Sequence, residues 1–187
     1  MYEVRVHGRD HLLVCAAMET MALAAVVDHV YFQIGPPPRA PRPHRDHVGW
    51  CRLDRRLIRA SGPVRTPDCL IVIDAGLPGL PDATVGLPPG GLVIAGSAGP
   101  AVLDPPRDGW DLAVVPAVRL PRVPAAGPEP VAALLGAFTA LTGRLRLDAV
   151  RTAAGIRFGA CRAPDAMRAV EEAYDLVRAG QTAHGYA

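Results

Sequence analysis

Three short, unbroken apolar runs constrain the fold of this chain more than any other feature. Cys69-Leu70-Ile71-Val72-Ile73 enters from Pro67-Asp68 and closes on Asp74, Leu92 to Ala95 follows Gly90-Gly91, and Leu112 to Val115 forms the third. A continuous apolar run suits a central parallel strand that is covered on both faces. Tyr2-Glu3-Val4-Arg5-Val6-His7 instead alternates and reads as a strand that Gly8 breaks. Val30 to Ile34 reads as a short strand, and Val48 to Leu53 with Leu57 to Ala60 as a strand pair around Asp54-Arg55-Arg56.

Helices fill the intervals and the end of the chain. Leu12 to Asp28 is apolar on nearly every side, the pattern of a buried helix held between a sheet and something else. Its polar exceptions, His11, Glu19 and Thr20, belong near its ends or at a partner contact. Glu19 reads either as a perturbed acid or as an edge residue paired with an Arg, and the second reading weighs more. Pro130 suits a first helical position, with Val131, Leu134, Leu135, Phe138 and Leu141 following at helical spacing before Gly143. A shorter helix spans Leu147 to Ala154. Pro164 opens another, in which Met167, Val170, Tyr174 and Val177 share a face before Gly180. The expected fold is α/β: a mostly parallel sheet flanked by helices, in a single domain over residues 1–187, with a helical C-terminal third.

Composition narrows the function classes. The 187 residues carry a formal net charge of +2, and all twenty basic residues are Arg, scattered and balanced by acids. Nucleic-acid binding needs a basic stripe, which is missing. Cys15, Cys51, Cys69 and Cys161 form no CxxC pair, so zinc-ribbon or iron–sulfur ligation by this chain is not expected. Cys15 and Cys69 sit in apolar stretches as small core residues, and Cys51 after Trp50 reads as packed, not nucleophilic. His44-Arg45-Asp46-His47 offers two good metal-ligand types but no third and fourth ligand nearby, so a solvated loop is the stronger reading. No Ser-His-Asp or Cys-His arrangement can be defended from spacing. Glu19 interrupts the one stretch that mimics a signal peptide, and no run reaches a membrane span. A soluble protein of the reducing cytoplasm is expected, with no membrane partner.

The ordered pieces of the chain resemble one family, the gamma subunit or domain of pyruvate and other 2-oxoacid:ferredoxin oxidoreductases. Glu3-Val4-Arg5-Val6-His7-Gly8-Arg9 is similar to the family's first strand and the start of its glycine loop. Arg52-Leu53-Asp54-Arg55-Arg56-Leu57-Ile58 resembles its middle hairpin, and Thr66 to Asp74 its central strand, entered by Pro-Asp. Leu134-Leu135-Gly136-Ala137-Phe138 looks like its late helix; Arg157-Phe158 and Ala169-Val170-Glu171-Glu172-Ala173-Tyr174 look like its closing segment. Their order and spacing, not any one piece, make the resemblance specific.

The resemblance implies a division of labour. Thiamine diphosphate and the iron–sulfur clusters belong to alpha-, beta- and delta-type partner subunits, while the gamma part packs against them and helps form the coenzyme A side of the active site. Such a chain alone catalyses nothing. Two departures from the family stand out. Where the family continues with further glycines and a Gln, this chain reads Gly8-Arg9-Asp10-His11-Leu12-Leu13. A glycine loop lets backbone N–H groups converge on a phosphate at a helix start. Asp10 brings negative charge there and suits capping of its own helix, which puts coenzyme A use in question. The second departure is the segment Pro36 to His47, which replaces an Arg-Arg-Gly-Ala-Pro-like loop of the family; its prolines from Pro36 to Pro43 forbid regular structure there.

Two sets of candidate residues follow. His7, Gly8, Arg9, Asp10 and His11, at the C-terminal end of the first strand, form either a wall toward a ligand or a subunit contact. Arg39, Arg42 and Arg45 lie on the proline-rich segment, which reads as an arm that docks on a partner; recognition of a coenzyme A phosphate is the competing role. Three function classes stay open: a subunit of a 2-oxoacid oxidoreductase or decarboxylase-like complex, a degenerate gamma fold kept for assembly or regulation, and a small-molecule-binding domain.

Overall fold

A computed structural model describes residues 1–35, 47–73, 83–97, 109, 111–116 and 129–183. Six strands form one mixed sheet: β1 (Tyr2–Gly8), β2 (Tyr31–Ile34), β3 (His47–Asp54), β4 (Cys69–Val72), β5 (Leu92–Ser97) and β6 (Asp111–Pro116), in the spatial order β2-β3-β1-β4-β5-β6. Strands β1, β4, β5 and β6 run parallel, with Val4 beside Cys69, Cys69 beside Leu92 and Leu92 beside Asp111. Strand β3 runs antiparallel to β1, from Tyr2 beside Leu53 to Gly8 beside His47, and β2 is antiparallel to β3. The mostly parallel α/β sheet expected from the apolar runs is present.

Side chains alternate across the sheet, and each face has its own core. Val4, Val6, Cys51, Leu53, Cys69, Ile71, Ile73 and Ile94 point to the helical side. Leu70, Val72, Val93 and Ala95 point to the other, where Ala83 and Leu87 pack on them. This two-sided burial is why the β4 and β5 runs show no polar alternation.

Four helices occupy the described residues: α1 (His11–Val27), α2 (Glu129–Thr142), α3 (Leu147–Phe158) and α4 (Ala163–Ala183). All four contribute to the helical-side core. Helix α1 lies between the sheet and α3, which explains its apolar circumference. Arg157 of α3 donates to Glu19 of α1 at 2.5 Å, so Glu19 is an edge residue paired with an Arg. The buried Asp28 carboxylate accepts from the Arg146 backbone N–H at 2.9 Å and from its guanidinium, tying the end of α1 to the start of α3.

Three sequence expectations need correction. Leu57 to Ala60 form no strand; β3 pairs with β1 and β2 instead, and the Arg52 guanidinium bonds the Gly62 carbonyl at 2.8 Å, drawing the following segment along the sheet as irregular chain. Helix α3 does not stop at Ala154 but runs to Phe158, ending where Gly159 takes a φ of 72°. Helix α4 continues past Gly180 to Ala183. Gly143 closes α2 as expected, at a φ of 58° with its N–H on the Thr139 carbonyl.

The tightest constraint between helices is at Gly136 of α2. A Cβ there would lie 2.2 Å from the Val170 carbonyl oxygen of α4, a backbone atom held in its own helix. Gly136→Ala is expected to cost about 1–3 kcal/mol by overpacking. Gly49→Ala, whose Cβ meets the Met18 and Val14 side chains and no backbone atom among its nearest neighbours, is expected to cost less. Urea unfolding of the two variants measures the difference.

Candidate functional site

The first strand delivers its residues to different places. Val4, Val6 and Gly8 face the helices, whereas Glu3, Arg5 and His7 face the opposite side. Gly8 is confined: a Cβ would stand 3.1 Å from Val14 Cγ2 and 3.3 Å from Ile73 Cδ1, so the turn from β1 into α1 packs directly on the core.

Asp10 is the N-cap of α1, with extended backbone, and its Oδ1 accepts from the Leu12 N–H at 2.8 Å. The carboxylate therefore bonds an amide that a ligand anion at this helix start would use. Its charge also lies at the positive end of the helix dipole. The Leu12 side chain is 63% exposed, while Val14 is buried. The turn thus holds one confined glycine, and the start of the helix is capped by the chain's own carboxylate.

His11 turns toward β3. Its ring lies 5.6 Å from that of His47, and its Nδ1 is 3.9 Å from Asp10 Oδ1. His47 is buried and sits opposite Gly8 in the β1–β3 ladder. The structure thus brings Asp10, His11 and His47 together on the helical side and leaves His7 on the other face. Arg9 is exposed. Of the His44-Arg45-Asp46-His47 motif, only His47 is described. Among the described residues no group of three or more His, Cys, Asp or Glu is placed to hold a metal ion, and no helix is long and apolar enough to cross a membrane. Arg39, Arg42 and Arg45 lie outside the described residues.

Cysteine chemistry is suppressed where it is buried. Cys51 is enclosed in the core, its Sγ 3.8 Å from Met21 Sδ, and burial pushes its thiol up to about 12. Burial also raises Cys69 well above the ordinary thiol value. Neither is a thiolate at neutral pH, as the packed reading of Cys51 requires.

The sequence reading missed Arg5. Its guanidinium donates to the Ala83 carbonyl at 2.7 Å and to the Val85 carbonyl at 2.6 Å, which ties the chain before β5 to the central strand. The signal was present, because an Arg at an inner position of an alternating strand needs acceptors on its face. Nearby, Arg52 pairs with Glu3 at 2.7 Å, bonds Gln33 at 2.9 Å and lies 4.7 Å over the Trp50 ring.

No protein-family model matches the chain. A curated relative, the pyruvate/ketoisovalerate oxidoreductases common subunit gamma of Thermococcus kodakarensis, is 29% identical over 178 residues, covering 94% of this chain and 96% of its own length. The crystal structure of the pyruvate oxidoreductase subunit PORC from Thermotoga maritima superposes with a TM-score of 0.72 at 25% identity, over 93% of this chain and 95% of that one. This chain is similar to such gamma-type subunits over nearly its whole length. The gamma-type fold also recurs inside a longer protein. The 2-oxoglutarate:ferredoxin oxidoreductase of Magnetococcus marinus, determined with 2-oxoglutarate, coenzyme A and succinyl-CoA bound, matches 95% of this chain with 31% of its own, at a TM-score of 0.73 and 13% identity. At that identity the match speaks for the fold alone.

His7 gives this chain a pH signature. Burial, and then the charge of Arg5, lower its pKa from 6.5 to about 4. The unfolded chain binds a proton here below about pH 6.5 and the folded chain does not until about pH 4, so stability falls as pH drops through that window. The loss amounts to at most about 3 kcal/mol and levels off below pH 4. Urea denaturation across pH 4–7.5 is expected to show this slope in the wild type and to lose it in His7→Leu.

Proposed function

We propose that this chain is the gamma-type subunit of a thiamine diphosphate-dependent 2-oxoacid oxidoreductase or decarboxylase-like complex, inactive alone, whose β1–α1 loop no longer serves coenzyme A. The near end-to-end match with gamma subunits of the same length carries the subunit assignment. Thiamine diphosphate and the iron–sulfur clusters are assigned to alpha-, beta- and delta-type partners. That fits a chain with no CxxC spacing and no three-ligand metal group among its described residues. The cytoplasm, where such soluble partners assemble, is the proposed location.

The loss of coenzyme A use is supported by one bond, from the Leu12 amide to Asp10. The family's loop offers bare amides to an anion, whereas this loop supplies its own carboxylate. The complex then releases its product to water or to another acceptor. The same bond keeps a second reading in view: a gamma fold retained for assembly or regulation of a partner complex.

Affinity purification of the tagged chain from its host tests both readings. The proposal expects co-purifying subunits that carry thiamine diphosphate and iron, with 2-oxoacid turnover that does not rise when coenzyme A is added, and no turnover by the chain alone. Partners without thiamine diphosphate would favour the assembly reading. Micromolar coenzyme A binding with turnover strictly dependent on it would overturn the loop assignment.

The segment from Pro36 to Pro43 is proposed as an arm that docks on a partner subunit, with Arg39, Arg42 and Arg45 making the polar contacts. Changing the three Arg to Ala is expected to weaken assembly about tenfold or more, as loss of charge-assisted bonds does. The melting temperature of the chain should change little. Unaltered assembly would remove the arm from the account.

A further inference from the structure

On the non-helical face of β1, near its C-terminal end, two side-chain nitrogens are buried and have no hydrogen-bond partner among the described residues: Arg5 Nε and His7 Nε2. The residues are two apart on one strand, so both side chains rise from the same face. His7 is only 7% exposed. The Arg5 guanidinium is held in place by the Ala83 and Val85 carbonyls, which take its terminal nitrogen and leave Nε–H without an acceptor.

A buried donor without an acceptor costs about 1–3 kcal/mol, more when the group is charged. Two in one place on a central strand mark a position that something else completes. The missing group must accept. Arg5 can only donate, and a neutral imidazole donates from Nε2 in one of its two tautomers. The local charge is positive, since Glu3, the nearest acid along this face of the strand, is already paired with Arg52. One side of this patch reaches solvent. Val72, beside His7 in β4, is fully buried, but Val48, beside it in β3, is 43% exposed.

We propose that Arg5 and His7 form a site for an oxyanion oxygen, a carboxylate in the first instance, entering over Val48 and bonded by Arg5 Nε–H and His7 Nε2–H. Two sources have this chemistry: a small organic acid from solution, and an Asp or Glu side chain presented by a partner subunit. The second source rests on the subunit reading; the first does not.

The test uses the full chain with isotope-labelled histidine and follows the His7 imidazole resonances by NMR. Sodium acetate and sodium phosphate are titrated against sodium chloride at constant ionic strength. A small-acid site gives saturable His7 shifts with a dissociation constant on the order of millimolar. Arg5→Met weakens that binding about tenfold, and chloride does not reproduce it. If Arg5→Met fails to fold through loss of its carbonyl bonds, His7→Leu serves instead. That variant is expected to be more stable than the wild type at neutral pH, because it removes an unpaired buried polar atom, and to bind no acetate, read for wild type and variant alike from backbone amide shifts.

A partner-supplied carboxylate gives a different pattern. Acetate and phosphate leave His7 unmoved, the co-purified partner subunits shift it, and His7→Leu weakens assembly although the chain itself is more stable. If no partner co-purifies, the subunit reading fails on that result, and the small-acid titration alone decides the site. The proposal is overturned if neither acid nor partner moves His7 beyond the chloride control, or if His7→Leu binds and assembles as the wild type does.

Discussion

Strand β1 is the element on which the other parts of this molecule depend. It stands between an antiparallel neighbour, β3, and a parallel one, β4, so it is the seam between two kinds of sheet. One face of it is plain hydrocarbon, Val4 and Val6 against the helical core. The other carries Glu3, Arg5 and His7 and has to satisfy them inside the sheet. Glu3 does so through Arg52, with its backbone N–H on the Asp68 carboxylate at 2.7 Å. Arg5 does so in part, by gathering the Ala83 and Val85 carbonyls. The chain before β5 is therefore positioned by a polar side chain of β1 as well as by the small apolar cluster around Val93. Satisfied polar groups of this kind specify one arrangement where a uniform apolar face would tolerate several.

Much of this architecture could be read from residue order. The β4 and β5 runs announced strands buried on both faces, and the apolar circumference of α1 announced a helix enclosed by both sheet and helix. What could not be read was pairing. Leu57 to Ala60 has a strand-like composition, but β3 already has β1 on one side and β2 on the other, leaving no edge for a third partner. The ends of α3 and α4 differ from the expectation because Gly155 and Gly180 look like stops, whereas α3 runs on to Phe158, which packs on the core, and α4 runs on to Ala183. Tertiary contacts commonly override local propensity in this way.

The candidate site was legible only in part. Asp10 as a cap follows from its position before an apolar helix, and the structure has that bond. The grouping of His7 with His11 did not survive the alternation of β1, which sends His7 and Gly8 to opposite faces. His47 joins His11 only through the antiparallel register of β3. The place of Arg5 in an alternating strand signalled a need for acceptors, but the unmet nitrogens of Arg5 and His7 could not be found, since an orphaned nitrogen is a property of the packed chain and not of its sequence.

The Asp10 cap has a thermodynamic meaning as well as a geometric one. A loop whose amides wait for an anion is completed by its ligand, and its stability rises with ligand concentration by mass action. This loop carries its counter-charge covalently, at an effective concentration that never varies. One amide at the start of α1 therefore has its acceptor whatever the supply of anions around it. That share of the order between β1 and α1 is built into the chain and waits for no molecule from solution.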